Sequence, residues 1–193
     1  RQSGASAVLE EIVVTARKRE ESIQDVPIAV SAVTGQQLER AFLSDSTELA
    51  QFAPNVVLDK VESGTPAGGA FSIRGISFQD IEKAFDPTVL LTIDGVAMGS
   101  VTGNVMNLID IESIEILRGP QGTLFGKNAV GGIINIRRKK PVLNSNFVKF
   151  RLTAGDYETN NLEAYANFGS ENLALKLTAA RFDHDGYWEN LST

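Results

Sequence analysis

The sequence predicts an α+β domain followed by a series of antiparallel strands. Two observations indicate the first part: helix-capping patterns interrupt the early strand-like runs, and residues 110–136 read as two short strands around a glycine-rich loop. One observation indicates the second part: from about residue 147, apolar and polar residues alternate in three segments of about ten residues each. We therefore expect a small mixed sheet with short helices and glycine-rich loops, and then a set of amphipathic strands.

The N-terminal region contains one isolated β-prone run. Residues 1–9 are small and polar, and we expect them to be disordered. Residues 10–16 read Glu-Glu-Ile-Val-Val-Thr-Ala, which favours a short strand with unpaired backbone groups. Such a strand is a docking edge for another chain. The residues alone leave open the alternative that this run is the first strand of the domain's own sheet.

Two capping patterns predict two short helices near the start of the domain. Thr34 and Gln37 have the spacing of a capping box, and Asp45 and Glu48 repeat that spacing. The apolar residues expected to face the core are Leu38, Ala41 and Phe42 in the first helix and Leu49, Phe52 and Ala53 in the second, with flanking strands at residues 26–33 and 55–59.

The middle of the chain alternates between strands and turn-rich loops. Strands are predicted at residues 71–76 and 89–93, and the second is almost wholly apolar, which indicates burial on both faces. Asp94-Gly95 predicts a tight turn. Polar, glycine-rich loops are predicted at residues 62–70, 77–87 and 99–104, and a short helix or turn at 105–109.

Residues 110–136 form the most distinctive stretch. A strand ends at Arg118-Gly119-Pro120, a loop follows, and a second strand begins near Ile133. The loop suggests phosphate binding, but residues 122–128, Gly-Thr-Leu-Phe-Gly-Lys-Asn, are one residue short of a Walker A motif and end in asparagine. We therefore predict no nucleotide site here, and a compact tertiary motif instead.

Composition excludes several classes of function. The chain has 193 residues and a net charge of −6, with no basic stripe, so nucleic acid is not an expected partner. It has no cysteine and one histidine, His184, so we expect no metal and no cofactor, and we interpret Asp183-His184-Asp185 as a solvated loop. No nucleophile and base are suitably spaced, so the chain is not expected to be an enzyme. No leader precedes Arg1 and no apolar run reaches about 18 residues, which we interpret as a mature or trimmed chain without a membrane helix.

The last third of the chain has the pattern of membrane-barrel strands. Apolar residues alternate with polar ones, and short turns fall at residues 155–159 and 169–172. Three strands cannot close a barrel, and lipid does not tolerate an open sheet edge, so we expect a truncated transmembrane β-barrel. An ordinary antiparallel meander with one core face remains the alternative. The alternating apolar positions are Val148, Phe150, Leu152 and Ala154, then Leu162, Ala164, Ala166 and Phe168, and then Leu173, Leu175, Leu177 and Ala179.

Four ordered motifs resemble one family. Residues 114–136, IEILRGPQGTLFGKNAVGGIINI, closely resemble the end of the plug domain of TonB-dependent outer-membrane receptors. Ser72-Ile73-Arg74-Gly75, Ile93-Asp94-Gly95-Val96 and Asp25-Val26-Pro27-Ile28-Ala29-Val30 resemble earlier plug motifs in the right order. The resemblance implies three parts: a flexible segment at 1–21, the plug at 22–141 and the first three barrel strands at 142–193.

The resemblance also implies a function and a location. The chain would be the plug of an outer-membrane transporter that gates energy-coupled import of a scarce solute, such as a ferric siderophore, cobalamin, haem or a sugar. The partner would be TonB, the periplasmic energy-coupling protein, with its inner-membrane complex. The segment pairing with TonB would be the TonB box, here Glu11, Ile12, Val13, Val14, Thr15 and Ala16. Because few residues precede this segment, we expect a transporter without a folded signalling domain.

Two further sets of residues take roles from the resemblance. Arg74 and Arg118 would contact acidic residues of the barrel wall as a plug–barrel latch, with Glu112 and Glu115 as the alternative partners inside the plug. Substrate contacts would come from loops 62–70, 77–87 and 97–104, with Phe78, Gln79, Phe85 and Met98 as candidates. The competing function is a soluble periplasmic binding module whose last strands complete its own sheet.

Overall fold

The computed structural model describes residues 13–14, 21–22, 24, 28–41, 45–60, 68–77, 86–156 and 159–183. The chain divides into two compact units, residues 1–138 and 139–193. Within the described ranges, no helix has the length and apolar character needed to cross a membrane.

The described elements are mostly short strands. The helices are α1 (Gly35–Arg40) and α2 (Gly122–Phe125), with a 3₁₀ helix at Ser46–Gln51. In chain order the strands are β1 (Val13–Val14), β2 (Glu21–Ser22), β3 (Ala29–Thr34), β4 (Val56–Lys60), β5 (Gly69–Ile73), β6 (Val89–Ile93), β7 (Val96–Met98), β8 (Ile111–Arg118), β9 (Gly132–Arg138), β10 (Asn146–Gly155), β11 (Thr159–Gly169) and β12 (Ala174–Asp183).

A mixed five-stranded sheet organises the first unit. Its strand order is β3-β8-β9-β6-β7, in which β9 and β6 are parallel and the other neighbours are antiparallel. The pairs β1-β2 and β4-β5 form two small sheets of their own. The predicted mixed sheet with short helices is therefore confirmed.

The sheet of the first unit buries apolar side chains on both faces because side chains alternate along each strand. The main cluster, on one face, includes the helical residues Leu38 and Leu49 with strand residues such as Phe71, Ile114 and Ile134. The smaller cluster, on the other face, consists of Val14, Leu90, Leu117, Ala129 and Ile133. Burial of β6 on both faces is confirmed.

The first helix begins as the sequence predicts. The Gln37 backbone N–H donates to Thr34 Oγ1 at 3.3 Å, and the Thr34 backbone N–H donates to Gln37 Oε1 at 2.9 Å, which completes the capping box. The helix ends at Arg40, so Ala41, predicted to face the core, is exposed, whereas Leu38 is buried. The second helix is a 3₁₀ turn, capped by Asp45, which accepts from the Thr47 N–H.

Two loop predictions, at residues 62–70 and 97–104, are wrong in part. Gly69 and Ala70 belong to β5 and are buried, and residues 97–98 belong to β7. Of the short helix or turn predicted at residues 105–109, the helix is not formed. The glycine-rich loop contains α2, which the sequence did not predict. The backbone of Gly69 and Ala70 pairs with β4, and the backbone of residues 97–98 pairs with β6, and the composition of each loop alone does not report these pairings.

The second unit is a three-stranded antiparallel sheet in the order β10-β11-β12. None of its strands pairs with the five-stranded sheet in the described part of the chain. The competing prediction, that the last strands complete the first domain's own sheet, is therefore wrong. The large apolar side chains on one face are exposed: Val148, Phe150, Leu152, Leu162, Phe168, Leu173, Leu175 and Leu177.

Candidate functional site

Two of the six residues of the predicted TonB box are among the described residues, and they form β1. Val13 pairs with Ser22, and Val14 pairs with Glu21, in an antiparallel arrangement. The Val14 side chain is fully buried in the smaller cluster. Within the described ranges β2 is the one strand paired with β1, so the structure shows no strand on its second edge. Glu11, Ile12, Thr15 and Ala16 lie outside the described residues.

A tight turn presents Arg74. Ile73 and Ile76 exchange backbone hydrogen bonds across it, and Arg74 and Gly75 both have positive φ, at 55° and 79°. Two central residues with positive φ are typical of a type I′ turn. The Arg74 side chain is exposed, and in the described part of the chain it has no hydrogen-bond or ion-pair partner.

Arg118 lies at the end of β8 and is half-buried. Its Nη2 donates to Ser31 Oγ on β3, whereas its Nε is buried and has no partner among the described residues. A buried guanidinium N–H without an acceptor is unfavourable, because the donor has lost its water. The guanidinium therefore retains the capacity for one more acceptor.

The two carboxylates weighed as internal partners are placed beside a different arginine. Arg137 Nη2 lies 3.9 Å from Glu112 Oε2, and Arg137 Nη1 lies 3.9 Å from Glu115 Oε1. No described contact joins either carboxylate to Arg74 or Arg118. The structure therefore gives no support to an internal ion pair for the two motif arginines.

A row of polar side chains crosses the five-stranded sheet beside the smaller cluster. Thr92 Oγ1 donates to Asn135 Oδ1 at 2.8 Å, and Asn135 Nδ2 donates to Glu115 Oε2 at 3.2 Å. The three residues are in register on β6, β9 and β8, and Glu115 is completely buried. Sequence reasoning missed this row, because its members look like ordinary polar positions until the strands are aligned.

Two predicted substrate loops are joined at their bases. The Gly69 N–H donates to Val101 O at 3.1 Å, and Asn104 Nδ2 donates to Gly69 O at 2.9 Å. Ser46 Oγ donates to Asn104 O at 2.8 Å, which attaches the same loop to the 3₁₀ helix. Met98 is half-buried against the main cluster, which favours a packing role. Phe78, Gln79 and Phe85 lie outside the described residues.

An ion pair fixes the end of the third predicted substrate loop. Lys127 Nζ lies 2.5 Å from Asp86 Oδ2, and Asn128 Nδ2 donates to Asp86 Oδ1 at 3.1 Å. The hydrogen bond from Lys127 is the main reason why the pKa of Asp86 is lowered. Among the described residues there is no group of three His, Cys, Asp or Glu side chains that could hold a metal, and His184 and Asp185 lie outside them.

The two faces of the C-terminal sheet differ sharply in polarity. On the face opposite the exposed apolar side chains, Glu163 accepts from Arg151 Nη1 at 3.3 Å and from the Tyr165 hydroxyl. Arg151, Glu163 and the buried Asn167 all project to this polar face, whereas Phe150 and Leu152 project to the other and are 70% and 79% exposed. An apolar face in lipid and a polar face towards a lumen is the arrangement of transmembrane barrel strands.

These features define a class of protein: a small α+β plug domain joined to outer-membrane barrel strands. Residues 22–133 match the family model described as the TonB-dependent Receptor Plug Domain, and the chain belongs to this family.

Known relatives agree with this assignment. The chain is 37% identical over 131 residues to the pesticin receptor of Yersinia pestis, which covers 67% of this chain and 19% of the relative. It is 26% identical over 163 residues to the ferrioxamine receptor of Yersinia enterocolitica, covering 84% of this chain and 22% of the relative. The chain thus spans about a fifth of the length of these curated relatives.

Solved receptors have the same fold. The ferric yersiniabactin uptake receptor FyuA from Yersinia pestis is 30% identical, with a TM-score of 0.70 over 80% of this chain and 24% of that chain. The pyoverdine receptor FpvA from Pseudomonas aeruginosa is 18% identical, with a TM-score of 0.74 over 91% of this chain and 25% of that chain. A likeness over 91% of the chain includes strands of the second unit, so the predicted fold class is confirmed.

The family also fixes the location and the broad class of the chain. It is part of an outer-membrane receptor, as the resemblance implied, and its relatives are receptors and transporters rather than enzymes.

Proposed function

We propose that this chain is the plug and the first barrel strands of a transporter that imports a scarce solute, with a ferric siderophore as the substrate class. The observation that carries the proposal is a plug-family domain followed by a sheet that exposes its apolar side chains on one face. FyuA is described as a ferric yersiniabactin uptake receptor, and another relative as a ferrioxamine receptor, which supports a siderophore. Cobalamin is the second candidate, because the vitamin B12 transporter of Vibrio vulnificus is 29% identical over 131 residues.

The mechanism follows from the need to keep a wide pore closed. A large barrel has a lumen that a folded domain can fill, and opening that lumen requires work. The outer membrane has no supply of nucleoside triphosphate, so the work must come from a partner. In this proposal the periplasmic partner TonB supplies it by pulling on an extended segment. We propose the plug at residues 22–141 as the moving part and residues 142–193 as barrel wall.

Transport is tested with the full-length receptor in cells that lack their own siderophore and cobalamin receptors. Uptake of ⁵⁵Fe-loaded siderophores is compared with uptake of radiolabelled cobalamin, each with and without dissipation of the proton-motive force. Energy-dependent iron uptake supports the proposal, cobalamin uptake supports the second candidate, and uptake of neither class contradicts both.

We propose that residues 11–16 are the TonB box. Support comes from the one-sided pairing of β1, because an edge strand can accept an added strand through its backbone. Val13→Pro removes a backbone N–H and should abolish energy-dependent uptake while leaving substrate binding intact. The matched control is Ser22→Pro, which disturbs the same β1-β2 pair from the other strand. Equal uptake in the two variants would contradict the box assignment.

We propose that Arg74 and Arg118 form the plug–barrel latch. The exposed guanidinium of Arg74 and the unpartnered Nε of Arg118 are both available to acidic groups elsewhere in the receptor. Arg118→Ala should loosen the plug, measured as increased vancomycin sensitivity of cells that make the receptor. Arg138→Ala is the control, since Arg138 already pairs with Asp94 at 2.6 Å within the plug. A similar sensitivity in both variants would argue against the latch.

We propose that the apical loops bind the substrate, with residues 99–103 as a described part of that surface. Loop 99–103 is held by Asn104, whose amide bonds to β5. Phe78, Gln79 and Phe85, which lie outside the described residues, remain contact candidates from the predicted loop 77–87, whereas the half-burial of Met98 favours a packing role. Alanine substitution at Phe78 or Phe85 should weaken siderophore binding without changing the amount of receptor in the membrane.

A further inference from the structure

Asn167 on β11 holds the chain segment that precedes β10. Its side chain is completely buried. Oδ1 accepts from the Val142 N–H at 2.9 Å, and Nδ2 donates to Val142 O at 2.9 Å and to Ser145 O at 2.6 Å. An asparagine amide offers one acceptor oxygen and two N–H donors, and all three are used here by backbone atoms of the same short segment.

Other backbone contacts fix the same segment along the end of β11. The Gly169 N–H donates to Ser145 O at 3.0 Å, and the Asn144 N–H donates to Ser170 O at 3.2 Å. Asn144 has a positive φ of 53°, which turns the chain so that these bonds can form. The segment 142–145 is therefore attached through its backbone, while the Val142 and Leu143 side chains stay exposed.

The segment also requires a residue without a side chain at position 169. A Cβ added at Gly169 would lie 2.2 Å from Val142 O and 3.1 Å from Asn144 N. Both atoms belong to backbone, so neither could turn aside as a side chain does. Gly169 and Asn167, two positions apart on β11, thus both contact the backbone of segment 142–145.

We propose that Asn167 and Gly169 form an anchoring site for the connector between the two units, with Asn167 as the positioning residue. Only residues 139–141 separate Arg138, the last residue of β9, from the anchored Val142. An extended chain spans at most ~3.5 Å per residue. With Val142 held in place by Asn167, Arg138 can therefore move no further than roughly 14 Å from that fixed point. Without the anchor, Asn146 at the start of β10 would be the first fixed residue, and the reach would double to roughly 28 Å.

The anchor has a consequence that rests on the proposed function. A plug that is pulled from its N-terminus needs one end that stays in place. The anchored connector keeps β9 tethered to the first barrel strands, so rearrangement under load starts in segments nearer to β1. An unanchored connector would let the whole plug move further from its closed position.

The anchor is tested by proteolysis of the full-length receptor in outer-membrane vesicles. Thermolysin cuts before large apolar residues, and the Val142–Leu143 bond is such a site. We expect the bond to be protected in the wild type and cut at least tenfold faster in Asn167→Ala, with the new N-terminus at Leu143 identified by mass spectrometry. Asn161→Ala, on the same face of β11, is the matched control and should behave like the wild type. Equal cleavage in Asn167→Ala and Asn161→Ala would overturn the proposal.

Two further variants separate hydrogen bonding from shape. Asn167→Asp keeps the size and the acceptor but loses both amide donors, so we expect cleavage as fast as in Asn167→Ala. Protection in Asn167→Asp would overturn the hydrogen-bonding role. Gly169→Ala should expose the connector, whereas Gly155→Ala should not, because a Cβ at Gly155 meets only the Thr159 side chain at 3.6 Å or more. Protection in Gly169→Ala would overturn the steric half of the site.

A spin-label pair distinguishes release of the connector from loosening of the whole sheet. Labels at Leu143 and Thr178 report the connector, and labels at Val148 and Leu177 report the sheet alone. In Asn167→Ala we expect a broader distance distribution for the first pair and an unchanged one for the second. Broader distance distributions for both label pairs would mean that Asn167 only supports the packing of the sheet, and would overturn the proposal. Neither readout depends on import, so a failed transport assay and a failed anchor are told apart.

Discussion

Replacing Phe150 by arginine should weaken insertion of the receptor far more than placing arginine on the opposite face of the same strand. Phe150 is the fifth of the ten residues of β10 and is 70% exposed. The next residue, Arg151, projects to the opposite face and pairs with Glu163. One strand thus carries an apolar position and a charged position side by side, which suits a boundary between lipid and lumen.

The size of the effect follows from the position of Phe150 along β10. Ten residues at ~3.3 Å each, tilted by about 45°, span roughly 23 Å, close to the apolar band of about 25 Å in outer-membrane barrels. Phe150 therefore lies near the middle, where an arginine facing lipid costs about 2–4 kcal/mol. That range corresponds to roughly 30- to 700-fold in the folding equilibrium.

The assay compares Phe150→Arg with Thr153→Arg in the full-length receptor. Thr153 lies three residues further along β10 and projects to the polar face, so arginine there should change stability little. Folded barrels migrate differently from unfolded ones in unheated detergent gels, which gives the folded fraction after assembly into bilayers at increasing urea. Equal loss of folded receptor in the two variants would refute the assignment of the Phe150 face to lipid.

Three further predictions concern the plug within the full-length receptor. Val14→Ala removes about two buried carbon groups, which should cost roughly 1.6 kcal/mol of local stability. Amide exchange at position 14 should therefore be roughly 15-fold faster. Val96→Ala, at an exposed site, should have no such effect. Gly132→Ala should lower the plug's thermal stability by roughly 3 kcal/mol or more, because Gly132 has a φ of 151° and an added Cβ would lie 2.3 Å from a backbone carbonyl. The hydrogen bond from Lys127 lowers the pKa of Asp86 below its ordinary value of 3.8. The pair therefore contributes stability that is fully present above the unfolded pKa and is lost as the pH falls through the folded pKa. The difference in Tm between the wild type and Lys127→Met should therefore shrink on acidification, and a constant difference would contradict the role of the pair.

Local patterns predicted much of the fold. The capping box at Thr34, the turn at Asp94 and the two strands around the glycine-rich loop depend on residues close in sequence, and the structure contains all of them. The alternation in residues 147–179 gave the correct faces of β10, β11 and β12, because a period of two fixes the side of every residue once one is known.

The features that escaped prediction depend on contacts between distant segments. Met98 looked like a loop residue, yet it packs against a core cluster that includes residues as distant in sequence as Leu49 and Ile134. Asn104 is buried by its bond to Gly69, 35 positions earlier. Asn167 reads as one more polar residue of an alternating strand, and its role emerges only when residues 142–145 fold against it. Periodicity gives the side on which such residues lie but not their partners.

Among the described residues, no strand of the second unit joins the five-stranded sheet, and this separation has a practical use for protein chemists. The polypeptide can be divided after Arg138, where β9 ends and the five-stranded sheet is complete. A recombinant fragment that ends there would lack the exposed apolar side chains of the three-stranded sheet, such as Leu152 and Leu173. We therefore expect it to stay in solution without detergent. The longer piece through residue 193 would need a surfactant to stay in solution.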